Sequence, residues 1–191
     1  EKNYYETLNN CKFKVSPLEF FQVNLSAANL MCDIISKNTT HNLLLDLCCG
    51  IGLLGICVSK GMKSSNTVIG LELSSESIKN AKENAKNNNI EAKYFCGDIH
   101  STLNEVINIT NSDSTALLDP PRKGVSDKVI QRIIKTTNIK ELFYVSCSYI
   151  DVIKNLKDLC SGNFTPTDVW IIDMFPYTKE VECVFKFKRN D

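Results

Sequence analysis

The stretch NLLLDLCCGIGLLG, Asn42–Gly55, decides how the rest of the chain is read. Asn42 to Leu47 is a continuous apolar run of strand length, broken by one acid, Asp46. It ends at Cys-Cys-Gly and passes into a helical pattern over Gly52–Lys60. Such a run predicts a strand buried on both faces. The glycines Gly50, Gly52 and Gly55 satisfy G-x-G-x-x-G, and Glu72 follows twenty residues after Gly52. Glycines let the backbone turn sharply and approach a ligand, and an acid at that distance can hold ribose hydroxyls. By itself the pattern suits a nicotinamide dinucleotide. Asp46 shifts the reading, because a carboxylate beneath the loop repels a pyrophosphate and attracts a sulfonium and an ammonium, as in S-adenosylmethionine. A solvated or capping carboxylate is the plainer alternative.

Outward from this stretch, strands and helices alternate. A helix is expected over Val23–Ser36. A strand over Thr67–Leu73 precedes a helix over Ser75–Asn88, with Ile78, Ala81 and Ala85 on one face. A short strand at Lys93–Cys96 leads to a helix near Ser101–Ile107, and a strand at Ser114–Leu118 is halted by Asp119-Pro120-Pro121. A helix over Ser126–Thr136 turns Ile130, Ile133 and Ile134 inward. A strand at Leu142–Ser146, a helix at Ile150–Cys160, and strands at Val169–Met174 and Glu182–Lys188 complete the pattern. Repeated alternation implies an open α/β sheet, mostly parallel and seven-stranded, with helices on both faces. The last two strands, joined by a loop, are expected to be antiparallel neighbours. Residues 1–20 are a lead-in segment with no assigned structure, and 21–191 are expected to form one domain.

Composition narrows the function classes. The 191 residues are 43% hydrophobic, enough for one sizeable core. Twenty-two basic and 22 acidic residues give a net charge of zero, so no broad cationic field faces nucleic acid. The nine cysteines lie mostly in apolar runs, none in a Cys-x-x-Cys spacing, and Cys48 and Cys49 are adjacent. We read a reducing compartment and no zinc site. No signal peptide and no membrane-length apolar run is present. The protein is therefore expected inside the cell, in cytoplasm or nucleus, with an organelle left open. The chain opens on Glu1, as expected of a domain cut from a longer protein.

In open α/β sheets ligands sit beyond the carboxyl ends of the strands. Those ends carry Gly50, Glu72, Asp98, Asp119 and Cys147 in order, which points to one site. Two prolines after Asp119 fix the backbone and present its side chain. Methyltransferases of exocyclic amines usually place an aromatic residue after such a Pro-Pro; here Arg122 stands there, which argues against an amine acceptor. Phe20 and Phe21 read as core residues, and Lys123, Arg132, Lys135 and Lys140 as a solvated face.

FFQVN (Phe20–Asn24), LDLCCGIG (Leu45–Gly52), GLEL (Gly70–Leu73), LLDPPRKGV (Leu117–Val125), FYVSC (Phe143–Cys147) and DMFPYTKEVE (Asp173–Glu182) occur in this order. Together they resemble the RNA uracil-5-methyltransferases, and among these the eukaryotic tRNA enzymes most closely. The resemblance implies an S-adenosylmethionine-dependent Rossmann-like catalytic domain that methylates carbon 5 of a uridine, in the T-loop of tRNA. On matching positions it implies Gln22, Glu72 and Asp119 as cofactor ligands, Cys147 as nucleophile and Glu182 as base. It implies no metal and no iron–sulfur cluster in this region. Full-length relatives carry an N-terminal RNA-binding domain, so this part is expected to bind S-adenosylmethionine and to bind tRNA weakly. Two departures stand out. Ser148-Tyr149 replaces the family's Asn-Pro after the nucleophile, and Glu180 stands where His is common. The rival readings are an RNA cytosine-5-methyltransferase, a nicotinamide oxidoreductase and a catalytically silent RNA-binding module. The first normally needs a second cysteine near Asp-Pro-Pro, and none is there.

Overall fold

In a computed structural model describing residues 4–17, 19–110 and 112–190, the opening stretch becomes strand β3 (Leu43–Leu47) and helix α2 (Leu53–Gly61). All five β3 residues are buried. Leu43, Leu45 and Leu47 enter one core, while Leu44 enters the other and Asp46 shares its face. Such a strand needs partners on both sides. Parallel pairing supplies them: Leu45 lies opposite Ile69 of β4 (Thr67–Glu72) and Ala116 of β6 (Ser114–Leu118).

β5 (Ala92–Cys96), β7 (Ile139–Ser146), β8 (Phe164–Ile172) and β9 (Glu182–Arg189) complete a seven-stranded sheet of order β5-β4-β3-β6-β7-β9-β8. β5 through β7 pair in parallel, and β9 is antiparallel to both β7 and β8. The expected mostly parallel sheet with an antiparallel last strand is therefore present, with that strand inserted one place in from the edge. β8 starts at Phe164, five residues before the expected Val169. A register shift between Pro166 and Asp168 interrupts its pattern, which an edge strand tolerates. β7 likewise begins three residues early, at Ile139.

Helices α1 (Leu25–Asn38), α2 and α3 (Ser75–Asn87) pack one face, and α4 (Ile99–Thr110), α5 (Asp127–Lys135) and α6 (Tyr149–Ser161) the other. α1 starts later than expected because Asn24 caps it, accepting from Ala27 N at 3.1 Å. Ile78, Ala81 and Ala85 of α3 are buried as their spacing implies. On α5, Ile130 and Ile133 are fully buried, and Ile134 is half-buried against the same core.

The lead-in segment, which the sequence left without assigned structure, is described in part. Residues 1–3 and 18 lie outside the described residues, but β1 (Tyr4–Leu8) and β2 (Cys11–Val15) form an antiparallel hairpin. Its turn is Asn9-Asn10, both at positive φ (50° and 60°), a geometry that asparagine accepts more readily than most residues. Leu8, Cys11, Phe13 and Val15 are buried beneath it. The free edge of β2 faces α3, where Asn80, Asn84 and Asn88 recur at helical spacing. Asn88 accepts from Lys12 N and donates to Lys12 O, both at 2.8 Å. Asn84 accepts from Lys14 N at 2.8 Å and donates to Lys14 O at 3.2 Å. Asn80 donates to Ser16 Oγ at 2.9 Å. The match is geometric: four helix residues advance about 6 Å and two strand residues about 6.8 Å, so each amide meets an alternate strand residue.

Asn84 also donates to Ile51 O at 3.1 Å, tying the hairpin to the glycine loop. Asn84→Ala strands a half-buried donor and acceptor on Lys14 and a buried acceptor on Ile51. Urea unfolding is expected to show a loss of about 2–3 kcal/mol. A loss under about 0.5 kcal/mol, the level of an ordinary surface substitution, would show that the ladder contributes nothing.

Candidate active site

The site is built from the carboxyl ends of the strands. Cys48 and Cys49 N both donate to Leu71 O at 3.0 Å, turning the chain off β3. Cys48, Gly50 and Gly52 all adopt positive φ, the last capping α2. Asp46 is buried, and its Oδ2 accepts from Gly55 N at 2.9 Å in the first turn of α2. The negative charge thus meets the positive end of the helix. A Cβ on Gly55 would come within 2.6 Å of that oxygen, so the third glycine is needed for this approach. Burial pushes the Asp46 carboxyl up to about 7, and its Oδ1 has no partner. Of the readings left open for Asp46, the capping carboxylate is the one the geometry shows, and the side chain also lines the cavity.

Glu72, at the end of β4, holds two loops together. Its Oε2 accepts from Gly50 N at 3.1 Å and its Oε1 from Ser74 N at 3.0 Å. Asp119 ends β6, and the turn after it closes through Gly124 N donating to Pro121 O at 2.7 Å. Asn155 of α6 pins that turn, accepting from Val125 N at 3.0 Å and Tyr144 Oη at 2.9 Å. Burial raises the Asp119 carboxyl to about 6.

Cys147 follows β7 directly. The antiparallel register sets Ser146 of β7 opposite Cys183 of β9, so Glu182, the first residue of β9, lies at the same edge as Cys147. Glu182 is 5% exposed, and burial, with the Asp119 charge second, pushes its carboxyl up to about 8. Burial also raises the half-buried Cys147 thiol; the Glu182 charge adds to this and the Arg122 guanidinium opposes it.

These residues wall one cavity of about 1260 Å³. Gln22, Gly50, Glu72, Asp119, Cys147 and Glu182, all singled out in the sequence, line it. Asp98 does not. It is exposed, and its Oδ1 accepts from His100 N at 2.8 Å at the start of α4. Phe20, expected in the core, is 74% exposed and forms part of the cavity wall, whereas Phe21 packs on Phe13 at 5.9 Å between ring centroids. Phe175 is a second aromatic wall residue that the sequence reading passed over. The lining is acidic on balance (Glu19, Asp46, Glu72, Glu76, Asp119 and Glu182 against Lys79 and Arg122), which suits a ligand carrying positive charge. Among the described residues no cluster of His, Cys, Asp or Glu is disposed to hold a metal ion, and no helix is long and apolar enough to cross a membrane.

Three carboxyls, Asp46, Asp119 and Glu182, titrate higher in the folded chain than their ordinary 3.8 or 4.5. A raised folded pKa gives stability that is complete below the ordinary value and lost as pH climbs through the raised one. The melting temperature is therefore expected to fall as pH rises from about 4 to about 8. Asp119→Asn and Glu182→Gln together should flatten that fall. Calorimetry across the range checks this, and equal slopes for both proteins would refute it.

The methyltransferase small domain model matches residues 22–140. Human "tRNA (uracil-5-)-methyltransferase homolog A" is 34% identical over 97% of this chain and 31% of that protein. An "uncharacterized RNA methyltransferase" of Clostridium tetani is 36% identical over 97% of this chain and 40% of that protein. The chain therefore spans about a third to two-fifths of the length of these relatives. Among solved structures, the Pyrococcus abyssi tRNA (uracil-54, C5)-methyltransferase in complex with S-adenosyl-L-homocysteine superposes with a TM-score of 0.81. It is 25% identical, and the match covers 98% of this chain and 44% of that one. With its sheet order, glycine loop and acidic crevice, the chain belongs to the methyltransferase small domain family.

Proposed function

We propose that this chain is the catalytic part of an S-adenosylmethionine-dependent RNA methyltransferase that acts on carbon 5 of a uridine, in the T-loop of tRNA. The observation that carries the reading is that Cys147 and Glu182 lie at the same edge of the sheet and both line an acidic cavity. The names of its relatives support the substrate class. The cavity, about 1260 Å³, exceeds the roughly 300–1,000 Å³ usual for one small ligand, leaving space for a nucleobase beside the cofactor.

The acidic residues fit the cofactor. Glu72 keeps lone pairs free of its two backbone bonds, suited to ribose hydroxyls, and Gln22 and the Gly50 backbone complete that wall. Asp119 offers a carboxylate to positive charge. When bound, S-adenosylmethionine supplies an electrophilic methyl group. The protein must make carbon 5 nucleophilic. The Cys147 thiol would lose its proton to solvent and add to carbon 6 as the thiolate, the carbon 5–carbon 6 π electrons passing to the carbon-4 oxygen as an enolate; carbon 5 would then take the methyl as the methyl–sulfonium bond breaks, its electrons leaving on the sulfur of neutral S-adenosylhomocysteine. Glu182 then removes the carbon-5 proton. The electrons left behind restore the double bond as the carbon 6–sulfur bond breaks, returning the thiolate. A carboxyl raised to about 8 is a stronger base than an ordinary glutamate once ionised. The exposed ring of Phe20 gives an unstacked base a surface to lie on.

Cys147→Ala is expected to abolish methyl transfer while leaving S-adenosylhomocysteine binding within about twofold. Glu182→Gln should trap a covalent RNA adduct that survives a denaturing gel, with turnover lowered at least 100-fold. Mass spectrometry of the modified nucleoside identifies the product. Normal 5-methyluridine formation by Cys147→Ala would sink the nucleophile assignment, and 5-methylcytidine would sink the uridine one.

A further inference from the structure

Glu180 is joined to the site through Arg122. The Arg122 Nη2 donates to Glu180 Oε2 at 3.0 Å, and its Nε lies 3.6 Å from Asp151 Oδ2 on α6. Ser148 Oγ donates to the same Asp151 oxygen at 2.6 Å. One guanidinium thereby links the Asp-Pro-Pro turn, the start of α6 and the loop that precedes Glu182. Arg122 lines the cavity beside Cys147, whereas Glu180 does not line it. A surface ion pair of this kind contributes little to stability, so its placement matters more than its strength.

We propose that Glu180 is a positioning residue that holds the Arg122 guanidinium next to the Cys147 thiol and fixes the loop carrying Glu182 over it. The charged groups facing the thiol are Glu182 from β9, Asp119 from β6 and Arg122 from the turn. Asp151 of α6 faces Arg122 from the other side. Arg122 is the cation among them, so keeping it in place favours the thiolate. The inference rests on Cys147 being the nucleophile. Its test reads the thiol without RNA or cofactor, so the two can fail separately.

The pH midpoint of Cys147 alkylation by iodoacetamide, followed by peptide mass spectrometry, is the measurement. Simple removal of the Glu180 charge would lower the midpoint. Loss of positioning lets Arg122 turn toward Asp151 and raises it. Glu180→Gln is expected to raise the midpoint by about half a unit, which is about threefold less thiolate at a fixed pH below it. Arg122→Gln should raise it at least as much, and adding Glu180→Gln to Arg122→Gln should raise it no further. Glu180→Asp should restore part of the wild-type value. A lowered or unchanged midpoint in Glu180→Gln, with an unaltered melting curve, would overturn the proposal.

Discussion

The site depends on one reversal of chain direction. Six strands of the sheet point their carboxyl ends to the same edge, so each delivers its last residue there. A residue at the start of a parallel strand would lie at the opposite edge. β9 runs the other way, and its first residue, Glu182, arrives where β7 delivers Cys147. Insertion between β7 and β8 pairs it on both sides, so backbone hydrogen bonds fix it rather than a loop conformation. Deeper along the same strand, Lys186 makes a buried ion pair with Glu141 of β7 at 3.1 Å and donates to Asn38 O at 2.7 Å. A slip of one residue would turn Glu182 to the other face and strand that pair.

Electrostatics at this edge is arranged against the empty protein and in favour of a cation. Asp46, Asp119 and Glu182 are all held above their ordinary titration range by burial, and mutual repulsion adds to it for Asp46 and Glu182. Burial and the Glu182 charge raise Cys147 as well, and the Arg122 guanidinium opposes them. A positively charged ligand relieves the carboxylates directly and favours the thiolate over the thiol. Strain of this kind makes the affinity for a cationic ligand and the reactivity of the thiol two readings of one field.

The fold was legible wherever burial imposed a periodic pattern. β3, β6 and the inner faces of α3 and α5 follow from apolar runs and spacing alone. The ends of the strands were legible too, because Glu72, Asp119 and Cys147 each follow an apolar run. The hairpin was not. Its outward residues, Tyr5, Thr7, Lys12 and Lys14, carry no turn signal stronger than Asn9-Asn10. Its anchoring depends on Asn80, Asn84 and Asn88, which as a sequence read only as polar helix positions and a helix end. Side-chain amides that complete a strand's backbone bonds leave no apolar trace. Phe20 failed for the opposite reason. Hydrophobicity placed it inside, while its location on the loop between β2 and α1 leaves the ring open to the cavity.

The departures after Cys147 also acquire a physical meaning. Ser148 occupies the N-cap of α6 and Tyr149 its first helical position. Asn-Pro, which the resemblance leads one to expect there, is an N-cap residue followed by the residue most favoured at the first helical position. Ser-Tyr keeps the capping type and gives up the fixed φ of proline. The replacement therefore falls on helix initiation rather than on a reacting group. The turn is held instead by side chains: Ser146 Oγ accepts from Ser148 N at 3.1 Å, and Ser148 Oγ reaches Asp151. Asp151 in turn meets Arg122, whose stronger partner is Glu180, the second departure. The two unusual positions are thus ends of one chain of contacts around Cys147.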